Sequence, residues 1–166
     1  MKFFVYTVIV LFVIPFQVTI IHSFPIGGRV PDVILVIVFL TGLWRGQIEA
    51  TALGLVLGFL QDIFSGTMGW VNLMTKPLIG LSVGIFCQAR ISLTPWVISI
   101  LLMITSFIYG LIVLLFLRVS PSQVDFWSAV RVVIFPQTLY DVVFGMIIVF
   151  FAFKLFPSPN HKVWNL

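Results

Sequence analysis

Three charged side chains, Asp62, Lys76 and Asp141, lie inside stretches of sequence that are otherwise almost entirely apolar. An ionised group in hydrocarbon is costly, so such residues usually pair with one another or line a polar cavity. Asp62 and Lys76 flank a short break, and two antiparallel helices joined there would bring them within reach of a lysine stem. We therefore predict a contact between Lys76 and Asp62, direct or through water or Asn72. A pair between Lys76 and Asp141 is the alternative, and the sequence is consistent with both.

A row of small residues precedes Asp62 in the same apolar stretch. Ala50, Gly54 and Gly58 recur every four residues, so they share one face of a helix with Asp62. A bare face lets another helix backbone approach closely. It serves either helix packing within the chain or the docking of a partner's helix. The helix is followed by a predicted tight turn that contains Ser65, Gly66 and Gly69.

The last apolar stretch contains Pro136 shortly before Asp141. Proline has no backbone N–H, so it leaves a carbonyl of the preceding turn without its helical partner. Gln137, Thr138 and Asp141 can satisfy the freed backbone locally. We predict a kink at Pro136, with Asp141 serving either that kink or a polar contact with a partner helix or a central cavity.

No constellation suited to catalysis or metal binding is evident in the sequence. His22 and His161 each stand alone, and Ser65 and Ser92 have no His–Asp environment. The single cysteine, Cys87, excludes an intramolecular disulfide and a multi-cysteine metal site. No Gly-rich phosphate-binding motif is present. The sequence thus predicts no enzyme activity, no cofactor and no metal.

Composition indicates the solvent in which these residues must be positioned. Of the 166 residues, 61% are hydrophobic and only 8% are charged, whereas roughly a quarter are charged in a soluble domain. Nine basic and five acidic residues cannot cover a globular surface, so lipid must be the main solvent. The basic residues are scattered singly, which argues against nucleic acid as a partner.

The apolar stretches predict an all-α integral membrane protein with six transmembrane helices. A span needs about 20 mostly apolar residues, and one transmembrane domain over residues 1–156 accommodates them, followed by a short cytoplasmic tail, 157–166. Asp32 is placed to cap the second helix. That helix is short, so five spans with a re-entrant second segment is the alternative. The predicted helices cover approximately residues 3–21, 32–43, 49–64, 70–87, 94–117 and 129–153.

The positions of lysine and arginine predict the orientation, because loops on the cytoplasmic side carry more of them. A cytoplasmic N-terminus places five inside and three outside, and an even number of spans places the C-terminus inside as well. The inner residues are Lys2, Arg45, Arg90, Lys154 and Lys162, and the outer ones are Arg29, Arg118 and Arg131. Interfacial anchors are predicted at Trp44, Trp70, Trp96 and Trp127.

The spacing Gly54-x3-Gly58-x3-Asp62-x2-Ser65-Gly66-x2-Gly69 resembles the central signature of MreD, a family of small membrane proteins in the bacterial rod-shape system. The resemblance covers roughly residues 31–153. Lys76 and Asp141 depart from the family pattern. Further segments that resemble the family are Pro31-Asp32-Val-Ile-Leu-Val, Arg45-Gly46 and Phe135-Pro136-x3-Tyr140.

The resemblance implies a non-enzymatic scaffold that maintains cell shape during cell-wall elongation. Its implied partners are an MreC-like protein, the MreB filament, and RodA with its penicillin-binding transpeptidase, and its implied location is the bacterial cytoplasmic membrane. It also implies a bundle similar to the substrate-binding S-components of energy-coupling-factor vitamin transporters.

Such a transporter subunit is therefore an alternative function. An S-component would be expected to carry small residues at four-residue spacing on its first helix, whereas the stretch from Phe3 to Ile14 is bulky throughout. An orphan membrane subunit with another partner is a third possibility.

Overall fold

The computed structural model describes residues 12–17, 30–65, 70–88, 94–119 and 125–155. Within these ranges all regular secondary structure is helical, and no strand is present. The elements are α1 (12–17), α2 (Val33–Arg45), α3 (Gln47–Ser65), α4 (Val71–Gln88), α5 (Pro95–Val119), α6 (Phe126–Ala129), a π-helical turn (Val130–Ile134) and α7 (Phe135–Leu155).

Helices α6 and α7 and the π-helical turn between them form one continuous helical rod. The rod begins at Phe126, three residues before the predicted start at Ala129. Asp125 supplies the cap, because its side chain accepts hydrogen bonds from the backbone N–H and the hydroxyl of Ser128 at 3.0 and 2.9 Å. Most of the predicted first helix and the predicted tail, 157–166, lie outside the described residues.

Three helices are long and apolar enough to cross a membrane: Gln47–Ser65, Pro95–Phe116 and Phe126–Phe151. Val33–Arg45 and Val71–Phe86 are apolar but shorter. Large apolar side chains cover the outside of the bundle, among them Leu55 and Phe150, which are half or more exposed. A surface of this kind is suited to lipid. The chain is therefore an all-helical protein with membrane character.

Helix α2 is the centre of the bundle. Ile34, Leu35, Val36, Val38 and Phe39 are all completely buried, and a helix that is apolar on every side is expected to be enclosed in this way. At 1.5 Å per residue, its 13 residues extend about 20 Å, which is less than a full hydrocarbon thickness. Its surroundings are protein: α3 and α1 on one side, and α4, α5 and α7 on the other.

Contacts at successive turns give the directions of the helices. Helices α2, α4 and α7 run parallel to one another, and α3 and α5 run antiparallel to them. Two bundle ends result, which we name the Asp32 end, where α2 and α4 begin, and the Arg45 end, where α2 stops. The adjacent residues that define the directions are Asp32–Lys76 and Gly42–Val83 for α2 with α4, Asp32–Asp141 and Val36–Gly145 for α2 with α7, Ser106–Asp141 and Leu102–Gly145 for α5 with α7, and Gly58–Asn72 and Gly54–Lys76 for α3 with α4.

Gly46 separates α2 from α3 and is the residue that lets the chain reverse. Its φ of 91° and ψ of −179° fall in a region that is essentially restricted to glycine. The predicted break at this point is therefore a single residue long, and α3 starts at Gln47.

Candidate functional site: a buried polar network

The small-residue face of α3 packs against the backbone of α4. A Cβ placed on Gly54 would lie 2.7 Å from the carbonyl oxygen of Lys76, and one placed on Gly58 would lie 2.4 Å from that of Asn72. Only a residue without a side chain leaves room for such an approach. Of the two uses left open for this face, the structure shows packing within the chain.

Helix α4 contributes a reciprocal pair of glycines that was not predicted from the sequence. A Cβ on Gly80 would lie 2.6 Å from the carbonyl carbon and oxygen of Ala50, and one on Gly84 would lie 2.3 Å from the Cα of Gln47. Gly80 and Gly84 are four residues apart and follow Lys76 at the same interval. That spacing was a usable signal, because it places both glycines on the helix face that carries Lys76.

Asp62 caps the first turn of α4. Its Oδ1 accepts hydrogen bonds from the backbone N–H and side-chain Nδ2 of Asn72, at 3.2 and 2.8 Å, and its Oδ2 accepts from the N–H of Leu73 at 2.8 Å. The first N–H groups of a helix have no intrahelical partner, and the helix dipole there favours a negative charge. The unfavourable position of Asp62 at the end of its own helix is thus offset by the start of the next one.

Lys76 pairs with Asp32, and the predicted direct contact with Asp62 is not formed. The Lys76 side chain is completely buried, and its Nζ is bonded to Oδ2 of Asp32. The ammonium also lies 4.5 Å from the centre of the Tyr109 ring, a favourable cation–π arrangement. The alternative ion pair with Asp141 is not formed either. The direct contact was not found because the prediction compared the depths of adjacent helices only, whereas Asp32 comes from α2. Asn72, the predicted intermediary, does bind Asp62.

Asn72 links the two carboxylate sites. It binds Asp62 as described, and its Oδ1 accepts a hydrogen bond of 2.7 Å from the Tyr109 hydroxyl. The connection from Asp62 to Lys76 therefore runs through Asn72 and then the ring of Tyr109. Tyr109 was not singled out from the sequence, since a lone tyrosine in an apolar helix is also typical of an interfacial anchor.

Asp32 has three roles at the start of α2. Its Oδ1 accepts from the N–H of Leu35 at 2.9 Å, which confirms the predicted cap. Its Oδ2 holds Lys76, and its own backbone N–H donates to Oδ1 of Asp141 at 2.7 Å. The cap of a helix that begins inside the bundle is thereby joined to both α4 and α7.

Gln17 supplies the next partner for this buried helix start. Its Oε1 accepts from the N–H of Val33 at 3.0 Å, and its Nε2 donates to the carbonyl of Pro31 at 3.0 Å. Gln17 is 4% exposed. The only sequence signal for it was a polar side chain inside an apolar stretch.

Asp141 joins α2, α5 and α7. The residue is completely buried and accepts hydrogen bonds from the backbone of Asp32, from the hydroxyl of Ser106 and, at 3.3 Å, from Nε2 of Gln137. Of the two roles left open for Asp141, the structure shows polar contacts, and their partners belong to the same chain.

Pro136 is the second residue of α7, and Phe135 separates it from the π-helical turn Val130–Ile134. Because the proline ring would clash with the carbonyl four residues earlier, a wider turn at this point is a common accommodation. Thr138 donates its hydroxyl to the carbonyl of Ile134 at 2.8 Å, and Gln137 donates to the carbonyl of Val30. At the position of the predicted kink, the helix thus contains a π-helical turn.

Of the remaining predicted site residues, Ser65 is the last residue of α3. Ser65 is exposed, and its hydroxyl donates to the carbonyl of Gln61 at 2.6 Å. Gly66 and Gly69 lie outside the described residues. In the part of the chain that the structure describes, no three His, Cys, Asp or Glu residues are grouped as a metal site would require.

The network belongs to an assembly of apolar helices in which one buried ion pair forms, and the other buried carboxylates accept hydrogen bonds from neutral groups, including N–H groups at the starts of two helices. Comparison of the chain with protein-family models, with curated proteins and with solved structures gave no match.

Proposed function

We propose that this chain is an MreD-type scaffold, a non-enzymatic, multi-pass component of the cell-wall elongation complex in the bacterial cytoplasmic membrane. In this proposal it has six spans and cytoplasmic ends, and it maintains cell shape together with an MreC-like protein, the MreB filament, RodA and a penicillin-binding transpeptidase. The observation that supports the proposal is that the residues carrying the resemblance act as one unit: Gly54 and Gly58 admit the backbone of α4, and Asp62 caps that helix.

A scaffold role is also consistent with how the polar side chains are used. Asp32, Lys76 and Asp62 are engaged in holding α2, α3 and α4 together. Their mutual satisfaction favours the scaffold over the S-component alternative, because any of these groups that turned towards a ligand would leave its present partner buried and unpaired, which is costly.

In this proposal, a partner binds to the outward faces of the α3–α4 hairpin. The small-residue faces of α3 and α4 are turned towards each other. The opposite faces carry bulky apolar side chains that are at least half exposed, among them Leu55 and Ile63 on α3 and Leu78 and Ile85 on α4. Polar contacts between helices in lipid add only about 0.6–2 kcal/mol each. Shape complementarity of these apolar faces would therefore dominate the interaction with a partner's helix.

The test is affinity purification of the tagged full chain from its own host membranes, combined with depletion. We expect an MreC-like protein to co-purify and depleted cells to lose their rod shape, with genes for MreB-like and MreC-like proteins immediately upstream. Gly58→Leu should abolish co-purification by breaking the α3–α4 hairpin. Ala52→Leu, at an exposed position of the same helix, is the matched control for membrane insertion and protein level.

Other outcomes would overturn the proposal. Co-purification of a transporter ATPase, with loss of vitamin uptake on depletion, would assign the chain to the S-components. Recovery of neither set of partners, with normal cell shape on depletion, would make it a subunit of a different complex.

A further inference from the structure

Asp141 is a buried carboxylate without a cation of its own. Lys76 is the one cation buried in the part of the bundle that the structure describes, and its ammonium is bonded to Asp32. Asp62 is held by the start of α4. The hydrogen-bond donors to Asp141 are all neutral, namely a backbone N–H, a serine hydroxyl and a glutamine amide.

These neutral donors are compatible with either protonation state. A hydroxyl is both donor and acceptor, so Ser106 can accept from a protonated Oδ2 as readily as it donates to an ionised one. Oδ1 continues to accept from the N–H of Asp32 in both states. Taking up a proton at Oδ2 therefore leaves no buried group at Asp141 without a partner.

The surroundings favour the neutral form. Asp141 is completely buried and lies well inside the membrane-spanning segment Phe126–Phe151, where an ionised carboxylate without a paired cation is costly. The carboxylate of Asp32 is its neighbour, and a second negative charge beside the first raises the cost further. We propose that Asp141 is a proton-binding site of the folded bundle, an inference that does not depend on the scaffold function.

The other titratable groups that face this site come from each neighbouring helix. Asp32 at the start of α2 donates its backbone N–H to Asp141, and Lys76 of α4 is bonded to the carboxylate of Asp32. Tyr109 of α5 lies directly beside the Lys76 ammonium, and Asp62 of α3 is connected to Tyr109 through Asn72. When Asp141 loses its proton, it competes with Asp32 for the single ammonium, which weakens the ion pair that holds α4 to the start of α2.

Among the described residues, the polar network around Asp141 extends towards the Asp32 end of the bundle. Gln137 bridges Asp141 to the carbonyl of Val30, which precedes α2 on that side. Towards the Arg45 end, the residues next to Asp141 are apolar, with Val36, Leu102 and Val149 all buried in one cluster. In the described core the polar network therefore stops at Asp141, which fits a proton-binding site reached from one face and not a path across the membrane.

The test is infrared difference spectroscopy of the purified full chain in lipid nanodiscs, between about pH 5 and about pH 9, the range in which buried carboxyl groups titrate. We expect the carbonyl-stretch band of a protonated carboxylic acid at low pH, lost as the pH rises. Asp141→Asn should remove this band, because the amide has no acid proton. The matched control Asp125→Asn, at an exposed helix cap, should leave it intact.

Stability provides an independent readout with a defined sign. Because the folded state holds the proton more tightly than the unfolded state, the unfolding temperature should fall as the pH rises. Asp141→Asn should flatten that dependence. A wild-type protein without an acid band at any pH, or an Asp141→Asn variant that keeps the band, would overturn the assignment.

A second variant keeps the carboxyl group of Asp141, so that the proposal can still be tested if Asp141→Asn does not fold. Ser106→Ala removes the hydroxyl next to Oδ2, and we expect the acid band to persist at a shifted frequency, because the protonated carboxyl group loses that hydrogen bond. An acid band at an unchanged frequency in Ser106→Ala would place the proton on a different carboxyl group and overturn the proposal.

Discussion

A methyl group at Gly58 tests the close contact between α3 and α4 beside Asp62. The added Cβ would lie 2.4 Å from the carbonyl oxygen and 2.8 Å from the carbonyl carbon of Asn72, where ordinary contact begins at 3.4 Å. Because both obstacles are backbone atoms, no side-chain rotation relieves the clash. Helices α3 and α4 must separate locally by about 1 Å, the difference between the shortest of these distances and ordinary contact.

The separation would also affect Asp62, one turn further along α3. Its hydrogen bonds to the N–H groups of Asn72 and Leu73, at 3.2 and 2.8 Å, would lengthen beyond the range of a useful bond. Overpacking costs about 1–3 kcal/mol, each lost polar contact in lipid about 0.6–2 kcal/mol, and alanine recovers about 1 kcal/mol of helix propensity. We expect Gly58→Ala to lower the free energy of unfolding by about 2–4 kcal/mol, and Gly58→Leu to prevent folding.

The assay is equilibrium unfolding of the purified protein in mixed micelles, followed by helix content. Gly54→Ala should be milder than Gly58→Ala, since its Cβ would lie 2.7 Å from the nearest backbone atom. Asp62→Asn keeps one acceptor oxygen and should cost less than Gly58→Leu. Ala52→Leu, on the exposed side of α3, is the matched control and should remain close to the wild type.

Two results would refute this reasoning. A Gly58→Ala variant within about 0.5 kcal/mol of the wild type, the range of an ordinary surface substitution, would mean that the two backbones are not in contact. An equal loss in Ala52→Leu would mean that α3 tolerates added bulk on neither side. The cost at Gly58 could then not be assigned to its contact with α4.

Three further substitutions test the rest of the network by the same unfolding measurement. Lys76→Met should cost about 3–5 kcal/mol by leaving Asp32 buried and unpaired, and the double variant with Asp32→Asn should recover part of that loss; additive losses would contradict the ion pair. Tyr109→Phe should cost about 1 kcal/mol, since it loses the hydrogen bond to Asn72 but keeps the ring beside the ammonium, whereas Tyr109→Ala should cost clearly more; equal effects would exclude a role for the ring. Gly46→Ala should cost about 1–3 kcal/mol through its positive φ alone, because no atom lies within 4 Å of the added Cβ; a neutral result would argue against that backbone conformation.

Local properties of the sequence were enough to predict helices, membrane character and one helix cap. The long apolar stretches and the four-residue repeat of Gly54 and Gly58 depend on neighbouring positions only, as does the bond from Leu35 to Asp32 three residues earlier. The need of Asp62 for a partner also followed from its position as a charged residue inside an apolar stretch.

The partners of the buried charged residues could not be predicted from neighbouring positions in the sequence. Asp32 and Lys76 are 44 positions apart, and Asp32 and Asp141 are 109 apart. Several carboxylates were possible partners for Lys76, and which of them lies beside it depends on how far each helix extends into the bundle.

The tertiary structure decided this through the short length of α2. Because that helix has only 13 residues and most of it is buried by its neighbours, its first N–H groups and its cap lie inside the bundle, where water cannot satisfy them. Gln17 and Asp141 must therefore come to that point, and Lys76 neutralises the cap. The sequence determined that charges would be buried and would need partners, and the packing of helices around α2 determined which partners they have.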